Sequence, residues 1–278
     1  MSRKGSKIKL AIIYLFLILF TIATLYPVIR VISISLRPGD RLLSTSLALI
    51  PEGATLESYR RLFTEGDFMR WLLNSILIAA AVTITGVALA SMSGYIFSKY
   101  RFIGKKAGMT AMITTQMFPA TMLLLPMYIM ISRLGLINSY LGLIIIYSAT
   151  ALPFCIWQMK GYYDTIPNSL HEAAIIDGCS HFQAFYRVIL PLAAPALVIT
   201  ALFSFMASWA EYIVAAQILQ SKNMFTLPIG LKQFQANMST EWGMYAAGSV
   251  IVSIPVVVLF IILSKWLVSG LTLGSVKE

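Results

Sequence analysis

Between residues 172 and 191 the chain reads Glu-Ala-Ala-Ile-Ile-Asp-Gly-Cys-Ser-His-Phe-Gln-Ala-Phe-Tyr-Arg-Val-Ile-Leu-Pro, a polar stretch set between two strongly apolar ones. Both histidines of the chain, His171 and His181, fall at this stretch, as does Cys179, one of two cysteines. No zinc-protease histidine pair, metal-ligand spacing or phosphate-cradling Gly-x-x-x-x-Gly-Lys-Ser/Thr motif accompanies them, so catalysis by this chain is unsupported. The chemistry these residues suit is docking. Ser169 and Glu172 stand at the spacing of a capping box that would start a helix at Pro167-Asn168-Ser169. That helix should end near Asp177, where Gly178 can take the left-handed conformation and turn the chain. A second helix should follow from about Ser180 to Ile189, until Leu190-Pro191 opens the next apolar run. The product is a helix-turn-helix elbow whose Ala173 and Ala174 carry almost no bulk, which lets another protein approach closely.

The elements that must position this elbow are membrane spans. Of the 278 residues 58% are hydrophobic, and a mean hydropathy of +0.81 is too high for a soluble domain. Several apolar runs reach about 20 residues, enough to cross the hydrocarbon core as helices, whereas barrel strands would be half as long and alternate in polarity. The expected fold class is therefore an all-α polytopic membrane protein. Six spans are read at about 10–34, 71–97, 108–132, 140–160, 192–217 and 244–268. Pro119 and Pro126 are expected to bend the third. Thr55 to Phe63 reads as a short amphipathic helix, and Trp71 and Trp242 as interfacial aromatics opening spans.

The net charge of +10 forms no stripe that would suit nucleic acid. Arg3, Lys4, Lys7 and Lys9 precede the first run, and Lys99, Arg101, Lys105 and Lys106 fill one short loop; both clusters mark the cytoplasmic side. Residues 1–9 are then a cytoplasmic basic N-terminus, 10–268 the transmembrane domain with an elbow at 166–191 and external loops at 35–70 and 219–243, and 269–278 a cytoplasmic tail. This topology puts the elbow on the cytosolic face. The first run carries no Ala-x-Ala-like cleavage site and is read as a retained span.

The elbow resembles the Glu-Ala-Ala loop of permease subunits of ABC importers, through Glu172, Ala173, Ala174, Gly178 and Leu190-Pro191. An Ile commonly stands three residues before the Pro in that family; here the position is Val188. Asn74-Ser75, Gly94-Tyr95-Ile96-Phe97-Ser98, Gln116-Met117-Phe118-Pro119, Lys160-Gly161-Tyr162-Tyr163 and the ending Gly270-Leu271-Thr272-Leu273-Gly274-Ser275-Val276-Lys277 are similar to the smaller permease of maltose and maltodextrin importers. The resemblance implies a type I importer permease fold with cytoplasmic termini, in a bacterial inner membrane. It implies a second homologous permease, two ATPase subunits that use ATP and Mg, and an external sugar-binding protein, with no cofactor on this chain. It also implies ATPase coupling through Glu172, Ala173, Ala174, Asp177, Gly178, Val188, Leu190 and Pro191, ATPase contact by Ser275, Val276 and Lys277, and binding-protein contact by Gln233, Phe234, Gln235 and Asn237.

Inside the spans formal charge is nearly absent, Glu211 being the main exception, so a neutral cargo is favoured over an ion. Side chains suited to sugars, with flat aromatic faces, amides and hydroxyls, are Gln116, Tyr128, Tyr147, Ser204, Trp209 and Tyr212. With Glu211 they are the candidate pathway residues. Maltodextrin is the cargo the resemblance implies, with a different oligosaccharide as the alternative. A stand-alone secondary carrier would show an internal repeat or ionisable residues at mid-membrane, and neither is visible.

Overall fold

The computed structural model describes residues 3–40, 48–235 and 240–273. Helices dominate: α1 (Arg3–Ser35), α2 (Glu57–Thr64), α3 (Phe68–Lys99), α4 (Lys105–Thr115), α5 (Ala120–Arg133), α6 (Tyr140–Thr165), α7 (Asn168–Ile176), α8 (His181–Leu192), α9 (Ala194–Trp209), α10 (Ile213–Ile218), α11 (Leu227–Lys232) and α12 (Trp242–Leu273). Among the described residues, four stretches are long and apolar enough to cross a membrane: Lys7–Ser35, Phe68–Lys99, Tyr140–Thr165 and Trp242–Ser264. A fifth exists if α8 and α9, which meet at 81°, count as one broken span.

The third expected span is not one helix. It divides into α4 and α5 around Gln116–Pro119, and Pro119 stands just outside α5 with an extended ψ of 130° rather than bending a continuous helix. Proline fixes φ and lacks an N–H, so it opens a helix more readily than it continues one. The fifth expected span is interrupted too. α9 stops at Trp209, and a break at Ala210–Tyr212 precedes α10.

The chain forms two compact units, one of Met1–Phe68 with Leu231–Ile254 and the other of Met69–Gly230 with Pro255–Glu278. In the first, α1 is apolar on every side and exposed along most of its length, as suits a helix surrounded by lipid, with Ser33 and Ser35 buried at its end. The amphipathic helix expected near Thr55–Phe63 forms as α2, with Leu62 fully buried and Arg61 paired to Glu65 at 2.8 Å and Glu241 at 3.2 Å. A hydrogen bond between the Ser35 and Tyr59 hydroxyls at 2.8 Å ties α2 to the end of α1.

The second unit carries the elbow, and α3 and α6 are its frame. One apolar core joins Ile78 and Val82 of α3 and Leu143 and Ile146 of α6 to α5, α10 and α11. The other joins Ala90 and Tyr95 of α3 and Cys155, Met159 and Tyr163 of α6 to Phe185 and Ile189 of α8. Glycine sets how close the two frame helices come. A Cβ at Gly94 would lie 2.7 Å from Met159 Cβ and 2.9 Å from the Lys160 backbone nitrogen. Gly94→Val is expected to force them apart at a cost of roughly 1–3 kcal/mol, as overpacking does. A lowered unfolding midpoint of the purified protein in detergent is the check.

Trp71, expected at the membrane interface, is instead packed inside this unit. It is 2% exposed, its indole N–H donates to the Lys222 carbonyl at 3.1 Å, and its ring fills the space a side chain at Gly230 would need.

Candidate functional site

α6 ends at Thr165, and Ile166 and Pro167 run extended into α7. The start of α7 corrects the sequence reading. Pro167 is the residue that precedes its first turn, and no side chain caps it, so the Ser169–Glu172 capping box does not form. A capping box stands instead on α8, where Ser180 Oγ accepts from the Gln183 N–H at 3.2 Å and Gln183 Oε1 accepts from the Ser180 N–H at 2.9 Å. Ser180→Ala should destabilise this corner by about 1 kcal/mol and Ser169→Ala should not. Amide hydrogen exchange at residues 180–184 distinguishes the two.

The turn between the helices is closed as expected. Gly178 has φ of +87°, its N–H donates to the Ile175 carbonyl at 3.0 Å, and the Cys179 N–H donates to Ala174 at 2.9 Å. These two bonds are the Schellman motif, which satisfies the last carbonyls of α7 and reverses the chain. α8 then widens into a π-helical turn over Ala184–Ile189, just ahead of Pro191, which has no N–H to give the preceding turn.

The base of the elbow is fastened to the end of α3. Tyr95, 5% exposed, has its hydroxyl 2.9 Å from His171 Nδ1 and its ring against Phe185. Lys99 donates to the Ile166 carbonyl and to Asn168 Oδ1 at 3.0 Å, and Ser98 donates to Asp164 at 2.7 Å. The imidazoles of His171 and His181 stack with centroids 5.8 Å apart. Burial first, then the neighbouring His181 and Lys99, hold His171 below the ordinary histidine range, against the opposing pull of Glu172. Sequence reasoning treated Lys99 only as a marker of sidedness and gave Tyr95, Ser98 and Asp164 no role. Their partners lie 66 to 76 residues away, beyond any local pattern.

The outward side of the elbow is open. Glu172, Ala173, Asp177, Gly178 and Pro191 are exposed, and Val188 and Leu190 half-buried. The Glu172 carboxylate has no hydrogen bond or ion pair among the described residues, so it is not spent on its own helix. Ile176 is 85% exposed, with Phe182 and Tyr186 also bare. Ala174 differs from expectation, since it is buried under α8 and its small size serves packing within the elbow.

The pathway candidates separate by exposure. Tyr147, Ser204 and Trp209 are buried within the unit; Ser204 lies 3.4 Å from Cys155 Sγ, and Trp209 stacks on Phe205. Gln116 and Tyr212 are exposed, with the Gln116 amide donating to the Thr150 carbonyl at 3.1 Å. Tyr128 is half-buried against the core shared by α3 and α6. Glu211 stands in the break before α10, where its carboxylate accepts from the Val214 N–H at 2.9 Å, the Ala215 N–H at 3.1 Å and the Tyr147 hydroxyl at 2.6 Å. It is a cap for a helix inside the membrane domain.

Gln233, Phe234 and Gln235 form the turn that leaves α11, and Phe234 accepts the Glu241 N–H at 3.0 Å. Asn237 and the tail residues Ser275, Val276 and Lys277 lie outside the described residues. No group of three or more His, Cys, Asp or Glu able to hold a metal ion occurs among the described residues.

Long apolar helices interrupted by an exposed, glycine-turned elbow define a polytopic helical membrane protein. Residues 86–272 match the family described as the binding-protein-dependent transport system inner membrane component. The chain is 36% identical over 266 residues to the maltodextrin transport system permease protein MdxG of Bacillus subtilis, covering 95% of each chain. It is 35% identical to the maltose/maltodextrin transport system permease protein MalG of Escherichia coli, covering 99% of this chain and 98% of that one. A crystal structure of a bacterial ABC transporter involved in import of the acidic polysaccharide alginate contains a chain that superposes with a TM-score of 0.84 at 25% identity, covering 95% of this chain and 98% of that one. The chain belongs to the binding-protein-dependent transport system inner membrane component family.

Proposed function

We propose that this chain is a permease subunit of an ATP-driven importer, carrying a neutral oligosaccharide of the maltose/maltodextrin type from an external binding protein into the cytoplasm. The observation that carries the reading is the elbow: an exposed carboxylate, a small residue and bare apolar side chains on a corner closed by its own glycine turn and fastened to α3. Such a corner offers a rigid surface to a soluble partner. The partners are two ATPase subunits, which bind ATP and Mg, together with a second homologous permease and the sugar-binding protein. In this reading α4 with α5, and α9 with α10, make the third and fifth of six crossings, both termini are cytoplasmic, and residues 35–70 and 219–243 are external.

ATPase closure would pull on Glu172, Ala173, Asp177 and Gly178, and α8 would pass the movement to α9 through Val188, Leu190 and Pro191. The tail residues Ser275, Val276 and Lys277 would touch the same ATPases, and Gln233 to Asn237 the binding protein. A neutral cargo is supported by the state of Glu211, whose oxygens are engaged by α10 and Tyr147. Gln116 and Tyr212 are the candidates that present their surfaces to a pathway.

The test is ATP hydrolysis by the purified complex in lipid nanodiscs, with its binding protein, across a panel of neutral and acidic oligosaccharides. Stimulation by maltodextrins is expected. Stimulation by another neutral oligosaccharide instead would replace the cargo and keep the mechanism, and failure of the chain to recruit any ATPase would overturn the permease reading.

A further inference from the structure

The two histidines of the chain sit on different helices of the elbow, His171 on α7 and His181 on α8, and the fold stacks their rings with planes 18° from parallel. Tyr100 meets both edge-on, its ring 6.1 Å from that of His171 and 5.8 Å from that of His181. His171 is also where α7 is fastened: Tyr95 of α3 reaches its Nδ1, and one turn earlier Lys99 of α3 donates to the Ile166 carbonyl and to Asn168. The ring that anchors the elbow therefore lies close to an ammonium group and to a second imidazole.

The surroundings disfavour a further positive charge there. α3 contributes Tyr95 and Lys99, and the loop after it Tyr100 and Arg101, the latter lining one cleft with His181. From α6 come Tyr163, edge-on to Tyr95, and Asp164, whose carboxylate is engaged by Ser98 and Lys160. Glu172, the next residue of α7, favours the charged ring, but it is exposed and screened by solvent. Burial, His181 and Lys99 outweigh it and hold His171 below its ordinary value of about 6.5. A histidine with a lowered pKa in the fastened elbow and an ordinary one when released binds its proton more tightly once released. The fastening is thus complete above the ordinary value and weakens as pH falls from there toward the lowered one. Charging the ring also makes both nitrogens donors, so Nδ1 no longer accepts from the Tyr95 hydroxyl.

We propose that the histidine pair is an acid-sensitive catch: in mild acid a proton taken up by His171 loosens α7 from the end of α3, and the elbow transmits movement to the spans less well. Import then slows when the compartment around the elbow acidifies. The catch itself requires only the contacts among α3, α7 and α8; its effect on transport rests on the proposed function.

The experiment is amide hydrogen exchange on the purified complex in nanodiscs without nucleotide, at about pH 7.5 and about pH 5.5, with rates corrected for intrinsic exchange at each pH. Wild type should lose protection across α7 on acidification while α6 keeps it. His171→Asn, whose amide oxygen accepts from Tyr95 but takes up no proton, should stay protected at both values. Removing the neighbouring ring with His181→Gln should move the loss to higher pH. Equal protection of wild-type α7 at both values, or the same acid loss in His171→Asn, would overturn the catch. If His171→Asn leaves α7 unprotected throughout, His181→Gln decides, since an unmoved transition there would overturn the proposal as well. Sugar-stimulated hydrolysis, taken as the ratio of His171→Asn to wild type so that the pH dependence of the ATPases cancels, should rise on acidification. A chain that recruits no ATPase would sink the importer reading and leave the exchange result standing, so the two failures are distinguishable.

Discussion

Valine in place of Gly178 is expected to leave the chain folded and assembled while lowering sugar-stimulated ATP hydrolysis about tenfold, whereas asparagine there should keep most of it. The contrast comes from the backbone. Gly178 has φ of +87°, and nothing lies within 4 Å of where its Cβ would be. Bulk therefore meets no neighbour, and only conformation is at stake. An L-residue held in the left-handed region costs roughly 1–2 kcal/mol, more for a β-branched one and less for asparagine. A shift of φ at this position would unmake the bonds from Gly178 to Ile175 and from Cys179 to Ala174, and so re-aim α8 relative to α7. About 1.4 kcal/mol against the competent geometry is a tenfold loss. Hydrolysis in nanodiscs, with subunit stoichiometry measured on the same samples, is the check. Equal loss in both variants would assign Gly178 a contact role instead of a conformational one, and full activity in both would remove the elbow as lever.

Features decided by neighbours in sequence were legible. Gly178 ends α7 where a glycine after an alanine-rich turn should, and the amphipathic pattern of α2 buries Leu62 as its period requires. Where two local patterns competed, sequence could not choose. Ser169-x-x-Glu172 and Ser180-x-x-Gln183 both fit a capping box, but Pro167 takes φ of −55° and starts α7 at Asn168, which places Ser169 two residues past the capping position. The break inside the third expected span went unread for a related reason. Hydropathy averages over a window, and Met117 and Phe118 are as apolar as the helices on either side, so the break at Gln116–Pro119 left no trace in it. The hardest features to read were pairings across long stretches of chain. Trp71 against Gly230 and Tyr95 on His171 depend on which helices become neighbours, and no spacing rule within one helix encodes that.

Removing the Glu211 side chain should weaken the unit that carries it, and its damage should fall on stability rather than on cargo choice. The carboxylate accepts three hydrogen bonds, two from the first turn of α10 and one from Tyr147, whose hydroxyl is almost wholly shielded. Hydrogen bonds to a charged group contribute about 1.5–3 kcal/mol, and a buried donor left without an acceptor costs about 1–3 kcal/mol. Glu211→Ala is therefore expected to lose about 2–3 kcal/mol and Tyr147→Phe about 1 kcal/mol, since the latter leaves the α10 cap in place. Because the two share one bond, their effects should fall short of additive in the double variant. Unfolding in detergent measures all three. Glu211→Gln separates the roles: an amide oxygen still accepts from α10, so the order of preference among oligosaccharides should stay as in wild type. A changed preference in that variant, with stability intact, would place Glu211 on the cargo instead of on the helix it caps.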